Sequence, residues 1–387
     1  MDPYVWKRLW RRPWLTLCGV VLSAVLCFLL CFLSGYQQAQ QEKLKETQES
    51  FQVLCVLSNR RGTQTHGLRM GSVVYYIATS PEMGLLPYIH DLRMTKELEA
   101  SCAQLGIAEG MLLGVTNERC ADALDAAMGG GIVEMEEGFF ESDELICLVS
   151  QEKYAMLGAE KTVTLFVKDP RYNPEYGDWP GGGAGAVPMR VAGCYAGRGD
   201  EVFMPFRAAW DLGYTLSGSS CVDSLAFVAA DNLALDALKE AAMQHFGQVD
   251  PLADDNADPR IALTVHDEQY RAAVAVLEQN IRRTGYLLPL VVLLGLGVGF
   301  LVSFLATRGE SRTYALMRTL GMTKRKLFFS VLREQVLLAL PAVPLALALT
   351  GRFLPAAGYL LCHVMGCCAA VVRAVRIGPT AILREQE

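Results

Sequence analysis

Four apolar stretches, one near the start of the chain and three close to its end, most constrain the fold that the chain can adopt. The first two stretches each hold 20 residues without a charged side chain. A helix of about 20 apolar residues spans the roughly 30 Å hydrocarbon core of a bilayer, so we expect transmembrane helices here. The third stretch contains Pro341 and Pro344, which neighbouring helices can accommodate inside a membrane. The four predicted spans are Trp14–Leu33, Leu287–Ala306, Phe328–Leu349 and Leu354–Val372.

The charges divide the chain into a basic part and an acidic part. Residues 37–280 carry 18 basic and 36 acidic side chains, a balance of −18, whereas the rest of the chain carries +12. Short loops rich in Lys and Arg stay on the cytoplasmic side of a membrane. We therefore predict that both termini are cytoplasmic and that the large domain between the first and second spans is extracytoplasmic. The basic residues beside the spans are Lys7, Arg8, Arg11, Arg12, Arg308, Arg312, Arg318, Lys324, Arg325, Lys326, Arg373, Arg376 and Arg384.

Residues 1–36 are predicted to form a cytoplasmic interfacial helix followed by the first span. Trp6, Trp10 and Trp14 recur every four residues, so they would share one helix face beside basic side chains. This pattern is typical of a helix that lies in the headgroup layer. The first apolar stretch is longer than the apolar core of a signal peptide, about 7–15 residues, and no Ala-x-Ala follows it. We expect an uncleaved membrane anchor.

Residues 37–284 are predicted to form an extracytoplasmic α+β domain with two stalk helices. Gln37–Ser50 lacks Gly and Pro, so it should continue the first membrane helix outward. Residues 270–281 contain apolar side chains that recur at helical spacing, so this segment should begin the second stalk helix. A helix is also expected at Ala234–Phe246. The expected strands are Gln52–Leu57, Val73–Ala78, Leu145–Ser150, Val163–Val167, Met189–Tyr195, Glu201–Met204, Ser224–Ala230 and Ile261–Val265.

Six of the twelve cysteines fall in the predicted outer domain. Six exported cysteines could form three disulfides. However, Cys55, Cys147 and Cys194 lie in apolar, strand-like runs, and none of the six has a C-x-x-C spacing. We therefore expect buried free thiols, and Cys102 with Cys120 is the one pair worth testing as a disulfide.

Sequence motifs for catalysis or cofactor binding are missing. The chain has no G-x-x-x-x-G-K-S/T phosphate loop, and its five histidines form no H-E-x-x-H or Cys/His cluster. The acidic segment Asp250–Asp258 lacks the residue order of a calcium loop and is expected to be a solvated loop. His363 is the one histidine at membrane depth, and packing among helices is its simplest role. We expect no enzyme activity, cofactor or metal, and no nucleic-acid partner.

The loop between the second and third spans carries the most informative pattern. A short helix is expected at residues 311–320, ended by Gly321 and followed by the basic turn Thr323–Lys326. On this helix Tyr314, Met317 and Leu320 recur at i, i+3 and i+6, flanked by Arg312 and Arg318. Composition alone allows a second interpretation, an amphipathic helix that rests on membrane lipid.

This loop resembles the cytoplasmic loop of FtsX/MacB-type ABC transporter permeases, the four-span type VII family. The family's usual run is close to R-x-E-x-x-x-L-R-x-x-G-x-S/T-x-x-x-I, and Arg318, Gly321 and Thr323 match it. Glu334 matches the acidic residue usual at the start of the third span, and Arg376–Arg384 resembles the family's closing P-x-x-x-L-R. The family's acidic residue near the helix start falls at Thr313 here, with Glu310 one turn earlier. The order of one span, a large outer domain and three further spans is also the family's.

The resemblance implies that residues 285–387 form an FtsX-like domain in a bacterial inner-membrane protein. It implies a permease subunit, a homodimer or a heterodimer with a related permease, that works with a separate ABC ATPase. The short helix would dock on the ATPase, and mechanotransmission would move the outer domain during export or extraction of a peptide, lipid or similar substrate. The residues implied in coupling are Arg312, Tyr314, Met317, Arg318, Leu320 and Gly321.

Two further functional hypotheses remain open at this point. The first is an FtsX-type regulator that transmits ATPase motion to an extracytoplasmic partner such as a cell-wall hydrolase or a sensor. The second is a membrane enzyme, which the missing motifs disfavour. Independently of the function, Gly295 and Gly299 form a small-xxx-small pair in the second span and predict close helix packing there.

Overall fold

The computed structural model describes residues 13–122, 124, 131–157, 161–169, 183–251, 261–308 and 311–376. The chain forms two compact units, Met1–Thr47 with Ala272–Glu387, and Gln48–Arg271. The predicted interfacial helix around Trp6 and Trp10 and the tail Pro379–Arg384 lie outside the described residues, as does the acidic segment 252–260.

Helices and strands are numbered here in chain order. The helices are α1 (Pro13–Ser50), α2 (Ser72–Thr79), α3 (Gln151–Ala155), α4 (Phe206–Ser217), α5 (Leu235–Met243), α6 (Glu268–Arg308), α7 (Ser311–Thr319), α8 (Lys324–Ala339), α9 (Ala342–Thr350) and α10 (Phe353–Arg376). The strands are β1 (Leu54–Ser58), β2 (Met70–Gly71), β3 (Ile89–Cys102), β4 (Ile107–Val115), β5 (Ile132–Met135), β6 (Ile146–Ser150), β7 (Thr162–Lys168), β8 (Ala184–Tyr195), β9 (Val202–Pro205), β10 (Cys221–Val222), β11 (Ser224–Ala229) and β12 (Ala262–Val265).

The four predicted spans correspond to four helical segments that are long and apolar enough to cross a membrane. The first and second belong to α1 and α6, and both continue well past their apolar parts as single helices. The predicted helical extensions at Gln37–Ser50 and from Tyr270 onward are therefore confirmed. The third segment combines α8 and α9, which are separated at Leu340 and Pro341 because proline cannot donate the next helical hydrogen bond. By length and composition, the chain is a multi-pass membrane protein.

The helical unit has a core of small and apolar side chains. Cys27 and Cys31 of α1 are buried together with Ala342 and Ala346 of α9. Tyr359 of α10 fills the same core. Small side chains allow helices to approach closely, which is how helices pack when the surrounding lipid is as apolar as the core.

The second unit is built on a closed ring of six strands. The ring runs β3, β4, β9, β6, β8 and β7, and β7 closes it by pairing with both β8 and β3. Alternate residues point inward, as in β7, where Val163, Leu165 and Val167 are buried and their neighbours are exposed. These side chains join those of the other five strands in one apolar core. We call this ring the barrel.

A second sheet extends from the barrel along β3. Strand β3 is 14 residues long, and its first half pairs with β11 while its second half pairs with β7 along the same edge. Beyond β11 the sheet continues through β1 to β12. We call β11, β1 and β12 the wing. Strand β3 therefore belongs to both parts of the domain.

Helix α4 covers the barrel at a point where a side chain would not fit. A Cβ atom on Gly114 of β4 would lie 2.2 Å from the Cβ atom of Ala209 on α4. Ala208 and Leu212 of the same helix join the barrel core. Glycine at this position therefore allows the helix to rest directly on the strand.

One predicted strand is wrong and two long strands were not predicted. Val73–Ala78 forms the helix α2, because Val74, Ile77 and Ala78 are buried at helical spacing. Strands β3 and β4 were missed because charged residues such as Lys96, Glu97 and Glu99 interrupt their apolar pattern. The other expected strands are confirmed within a few residues, apart from β8, which begins earlier.

The cysteines are free thiols in the structure. Cys120, half of the pair singled out from the sequence, has its sulfur 3.3 Å from Thr116 Oγ1 and forms no bond with Cys102. Burial raises the pKa of the Cys147 thiol to about 12. The expectation of buried free thiols in the outer domain is confirmed for Cys55, Cys102, Cys147, Cys194 and Cys221.

Candidate functional site

The loop between the second and third membrane helices contains a short helix, α7, that ends in a defined turn. Helix α7 ends in a left-handed turn at Gly321, whose φ is +93°. The Gly321 N–H donates to Arg318 O at 3.2 Å, and the Met322 N–H donates to Met317 O at 3.0 Å. These are the two bonds of a Schellman ending, which glycine favours because it has no Cβ atom.

The next helix begins two residues later with its own cap. Thr323 lies just before α8, and its Oγ1 accepts a hydrogen bond from the Lys326 N–H at 3.4 Å. This bond satisfies one of the free donors at the start of α8. The Schellman ending and the Thr323 cap together set the direction of α8 relative to α7.

One face of α7 packs inside the helical unit. Tyr314 is only 9% exposed and lies in an apolar cluster with Leu327 and Val331 of α8 and Val371 of α10. Met317 packs partly against the same cluster. Tyr314 and Met317 therefore attach α7 to the helices that follow it.

The other face of α7 is exposed. Leu320 is 86% exposed and Leu316 is 53% exposed. Phe329 on α8 is also exposed, as are the basic side chains of residues 324–326. These two leucine side chains lie beside the basic first turn of α8. Together they form a surface that a partner protein could cover. We call Leu316 and Leu320 the outer face of α7.

The structure therefore places the residues predicted for coupling on different faces of α7 and in the turn that follows it. Of the three apolar residues, Leu320 lies on the outer face and Tyr314 faces inward, with Met317 between them. Arg318 is half-buried, Gly321 forms the turn, and the side chain of Arg312 lies outside the described part. Leu316 was not predicted, because a spacing pattern does not tell which face of a short helix is covered.

The predicted glycine pair lies where α6 meets α10. A Cβ atom on Gly299 would be 2.6 Å from the His363 backbone oxygen, and one on Gly295 would be 3.4 Å from the Tyr359 ring. From the other side, a Cβ atom on Gly366 would be 2.3 Å from Leu296 O. The backbones of the two helices are therefore in direct contact. Gly366 was missed, although Gly366 and Ala370 repeat the small-xxx-small spacing.

The described residues contain no group of three or more His, Cys, Asp or Glu side chains placed to hold a metal ion. The unit Gln48–Arg271 has a shallow groove of about 570 Å³ on the outside of β3, β4 and β7. Its polar lining includes Glu99, Glu109 and Lys168. Lys168 Nζ lies 3.1 Å from Glu99 Oε2, so these two charges neutralise each other.

Solved structures that are similar to this chain include a periplasmic region and an extracellular domain of two ABC-type transporters. The chain is similar to the periplasmic region of MacB from Actinobacillus actinomycetemcomitans, with a TM-score of 0.33, 12% identity and coverage of 59% of this chain and 94% of that one. It is also similar to the extracellular domain of the noncanonic ABC-type transporter YknZ from Gram-positive bacteria, with a TM-score of 0.33, 11% identity and coverage of 55% and 99%. No protein-family model matches the chain. No curated protein matches it either.

Proposed function

We propose that the protein is the permease subunit of an ABC transporter, which couples ATP hydrolysis by a separate ATPase subunit to movement of its outer domain. The observation that carries the proposal is the capped helix α7 between two membrane helices, with one face packed and one face exposed. A helix that packs against its neighbours and ends in a defined turn can transmit a push from a bound partner to those neighbours. The family resemblance in this same loop supports an ABC ATPase as the partner.

In this proposal the outer face of α7 inserts into a groove on the ATPase. Tyr314 and Met317 carry the motion inward, because they pack against α8 and α10. Those two helices and α6 form one packed unit, in which Gly299 brings α6 onto α10. Residues 37–284, expected on the extracytoplasmic side, would then move as α1 and α6 move. Two permease copies, or two related permeases, would assemble with two ATPases.

The outer face of α7 gives a direct test with a matched control. Leu320→Asp places a charge on the outer face, whereas Leu233→Asp places the same charge at a leucine of the outer domain that is 71% exposed. Burial of one leucine contributes about 1.5–3 kcal/mol, so Leu320→Asp should weaken ATPase binding by about tenfold to a hundredfold. Leu233→Asp should leave binding unchanged. The measurement is titration of each permease variant with an ABC ATPase that co-purifies with the unmodified permease.

Two outcomes would argue against the proposal. If Leu320→Asp and Leu316→Asp both bind the ATPase normally, α7 rests on lipid and is not the docking helix. If the purified chain alone hydrolyses ATP in a saturable way, the separate ATPase is unnecessary, although no phosphate loop is present in the sequence.

The proposed topology is tested by labelling single cysteines from outside intact cells. A cysteine at Asp200, whose side chain is 51% exposed, should be labelled. A cysteine at Arg325 in the exposed first turn of α8 should not be labelled, because this part of the chain is proposed to be cytoplasmic. Labelling of Arg325→Cys from outside would contradict the four-span orientation.

A further inference from the structure

Strand β3 has a gap in its hydrogen-bond ladder where it passes from the wing into the barrel. On one edge, β11 pairs with β3 as far as Thr95, and β7 pairs with it from Glu99 to Ser101. Residues 96–98 have no strand partner on that edge. Buried backbone groups need partners, so this position requires another source of hydrogen bonds.

Asp223 supplies the missing partner. Its backbone N–H donates to Thr95 O at 2.8 Å. Its carboxylate Oδ2 accepts a hydrogen bond from the Glu97 N–H at 2.7 Å. Asp223 lies between β10 and β11, so a side chain from the wing end of the chain continues the ladder toward the barrel.

A buried lysine faces the same place. Lys96 is 0% exposed, and its Nζ lies 3.6 Å from Asp169 Oδ1 and 3.6 Å from Cys221 Sγ. The Asp169 carboxylate also accepts a hydrogen bond from Ser217 Oγ at 2.6 Å. Helix α4 covers the lysine, since a Cβ atom on Gly213 would be 2.4 Å from Lys96 Cε.

The members of this cluster come from both parts of the domain. Asp169 directly follows barrel strand β7, and Ser217 ends α4, which packs on the barrel. Cys221 and Asp223 lie in the segment that leads into wing strand β11. Any rotation of the wing relative to the barrel at β3 must therefore disturb these contacts.

The charges of the cluster do not balance when every carboxyl is ionised. Lys96 and Arg69 bring two positive charges. Asp169, Asp223 and Glu97 bring three negative charges. Burial raises the pKa of the Asp223 carboxyl to about 6, against the opposing effects of the Glu97 N–H and Lys96. Glu97 on β3 raises this pKa further by its charge, and Arg69 beside β2 lowers it.

Cys221 is another titratable group that faces Asp223. Its Sγ lies 4.0 Å from Asp223 Oδ1. Burial raises the pKa of the Cys221 thiol to about 12, so the thiol stays neutral and does not offset the excess negative charge. A proton on Asp223 is the change that makes the cluster neutral.

We propose that this cluster is a proton-controlled joint: a proton taken up by Asp223 locks the wing onto the barrel, and its release loosens the two parts. The protonated cluster contains one neutral carboxyl and the Lys96–Asp169 ion pair, with no uncompensated charge in a dry site. The ionised cluster holds one negative charge in excess, because three carboxylates face two cations. The same Glu97 N–H bond can be made in both states, so the difference between them lies in charge.

Hydrogen exchange of the full-length protein in lipid nanodiscs tests the joint. Exchange would be followed from pH 4.5 to 8 in peptides that cover residues 95–98 and 221–224, after correction for intrinsic rates. Because the pKa of Asp223 is raised by about two pH units, local opening should increase about tenfold to a hundredfold across this range. Strand β7 should serve as the reference and should show no such increase.

Two variants separate the joint from a general effect of pH. Asp223→Asn keeps an oxygen that accepts from the Glu97 N–H but carries no charge, so its local opening should be low at every pH. Asp211→Asn removes an exposed carboxyl on α4 and should keep the normal pH response. A normal pH response in Asp223→Asn, or a flat response in the unmodified protein, would overturn the proposal.

Lys96→Met provides a second measurement if Asp223→Asn does not fold. Removal of the nearby positive charge should raise the pKa of Asp223 and move the opening transition to higher pH. A transition that stays in place or moves to lower pH would show that Asp223 is not the group that titrates.

Discussion

The interior of the barrel and the joint on β3 lie next to each other but are built from opposite kinds of side chain. Leu98, Ala100 and Cys102 of β3 point into an apolar core. A few residues earlier on the same strand, Lys96 is fully buried beside two carboxylates. Both places are buried, so the difference in their side-chain chemistry needs a structural reason.

The continuity of the hydrogen-bond ladder provides this reason. In the second half of β3, strands β4 and β7 satisfy the backbone on both edges, so side chains need only fill space. At residues 96–98 one edge has no strand, and the Asp223 carboxylate replaces it. A buried carboxylate then requires a cation, which Lys96 provides through the cluster. A gap in the ladder therefore leads to buried charge.

The largest expected effect comes from removing the cation. Lys96→Met keeps a similar side-chain volume but leaves Asp169 and Asp223 without their buried positive partner. Removal of one partner from a buried ion pair costs about 3–5 kcal/mol of the free energy of unfolding. Pulse proteolysis of the full-length protein across a urea series would measure it. A loss below about 1 kcal/mol would mean that water reaches the cluster.

A substitution in the barrel should cost slightly less. Leu112→Ala removes a fully buried side chain from the barrel core, for an expected loss of about 3 kcal/mol through lost burial and the cavity left behind. Phe166→Ser on the outward side of β7 is the control, because that ring is 53% exposed. We expect the control to change the free energy of unfolding by less than about 0.5 kcal/mol. Equal losses in the two variants would contradict the assigned interior of the barrel.

The contact between α4 and the barrel gives an intermediate effect. In Gly114→Ala the new methyl group would overlap Ala209, so α4 must move away from β4. Overpacking of this kind costs about 1–3 kcal/mol. Gly84→Ala is a useful contrast, because its Cβ atom would meet nothing within 4 Å and only its positive φ of +73° adds strain. The double variant Gly114→Ala/Ala209→Gly should recover part of the loss.

The smallest expected effect is a gain in stability. The pKa of Asp223 is raised to about 6 in the folded protein, so between about pH 4 and pH 6 the folded chain holds a proton that the unfolded chain releases. Stability associated with this group is therefore greatest at low pH and is lost as the pH rises through 6. Asp223→Asn should increase the free energy of unfolding by about 1–2 kcal/mol at pH 7.5 and by nothing at pH 4. A loss of stability at pH 7.5 would mean that the ionised carboxylate stabilises the fold.

The membrane-spanning part could be predicted closely from the sequence. Each predicted span corresponds to an apolar helical segment, because a span requires only length and a lack of charge. The end of α7 could also be predicted, since Gly321 can adopt the left-handed turn that closes a helix. These features depend on residues close together in the chain.

The sheet-rich unit Gln48–Arg271 was harder to predict because its elements depend on distant partners. Val73–Ala78 favours a strand by composition but forms α2, since its buried residues lie at helical spacing in the tertiary structure. Strands β3 and β4 carry charged residues that disfavour a strand when read alone. Their pairing with β11, β7 and β9 compensates for this weak local preference.

The sequence by itself determined the four membrane helices, the position of the large domain between the first two, and the short capped helix of the loop. Only the tertiary structure decided that the barrel closes, that Tyr314 faces inward while Leu316 and Leu320 face outward, and that Lys96 meets Asp169 and Asp223. The physical reason is the range of the interactions. Hydropathy and capping act within a few turns of one helix, whereas Lys96 and Cys221 are 125 residues apart in the chain and come together only when the wing and the barrel share β3.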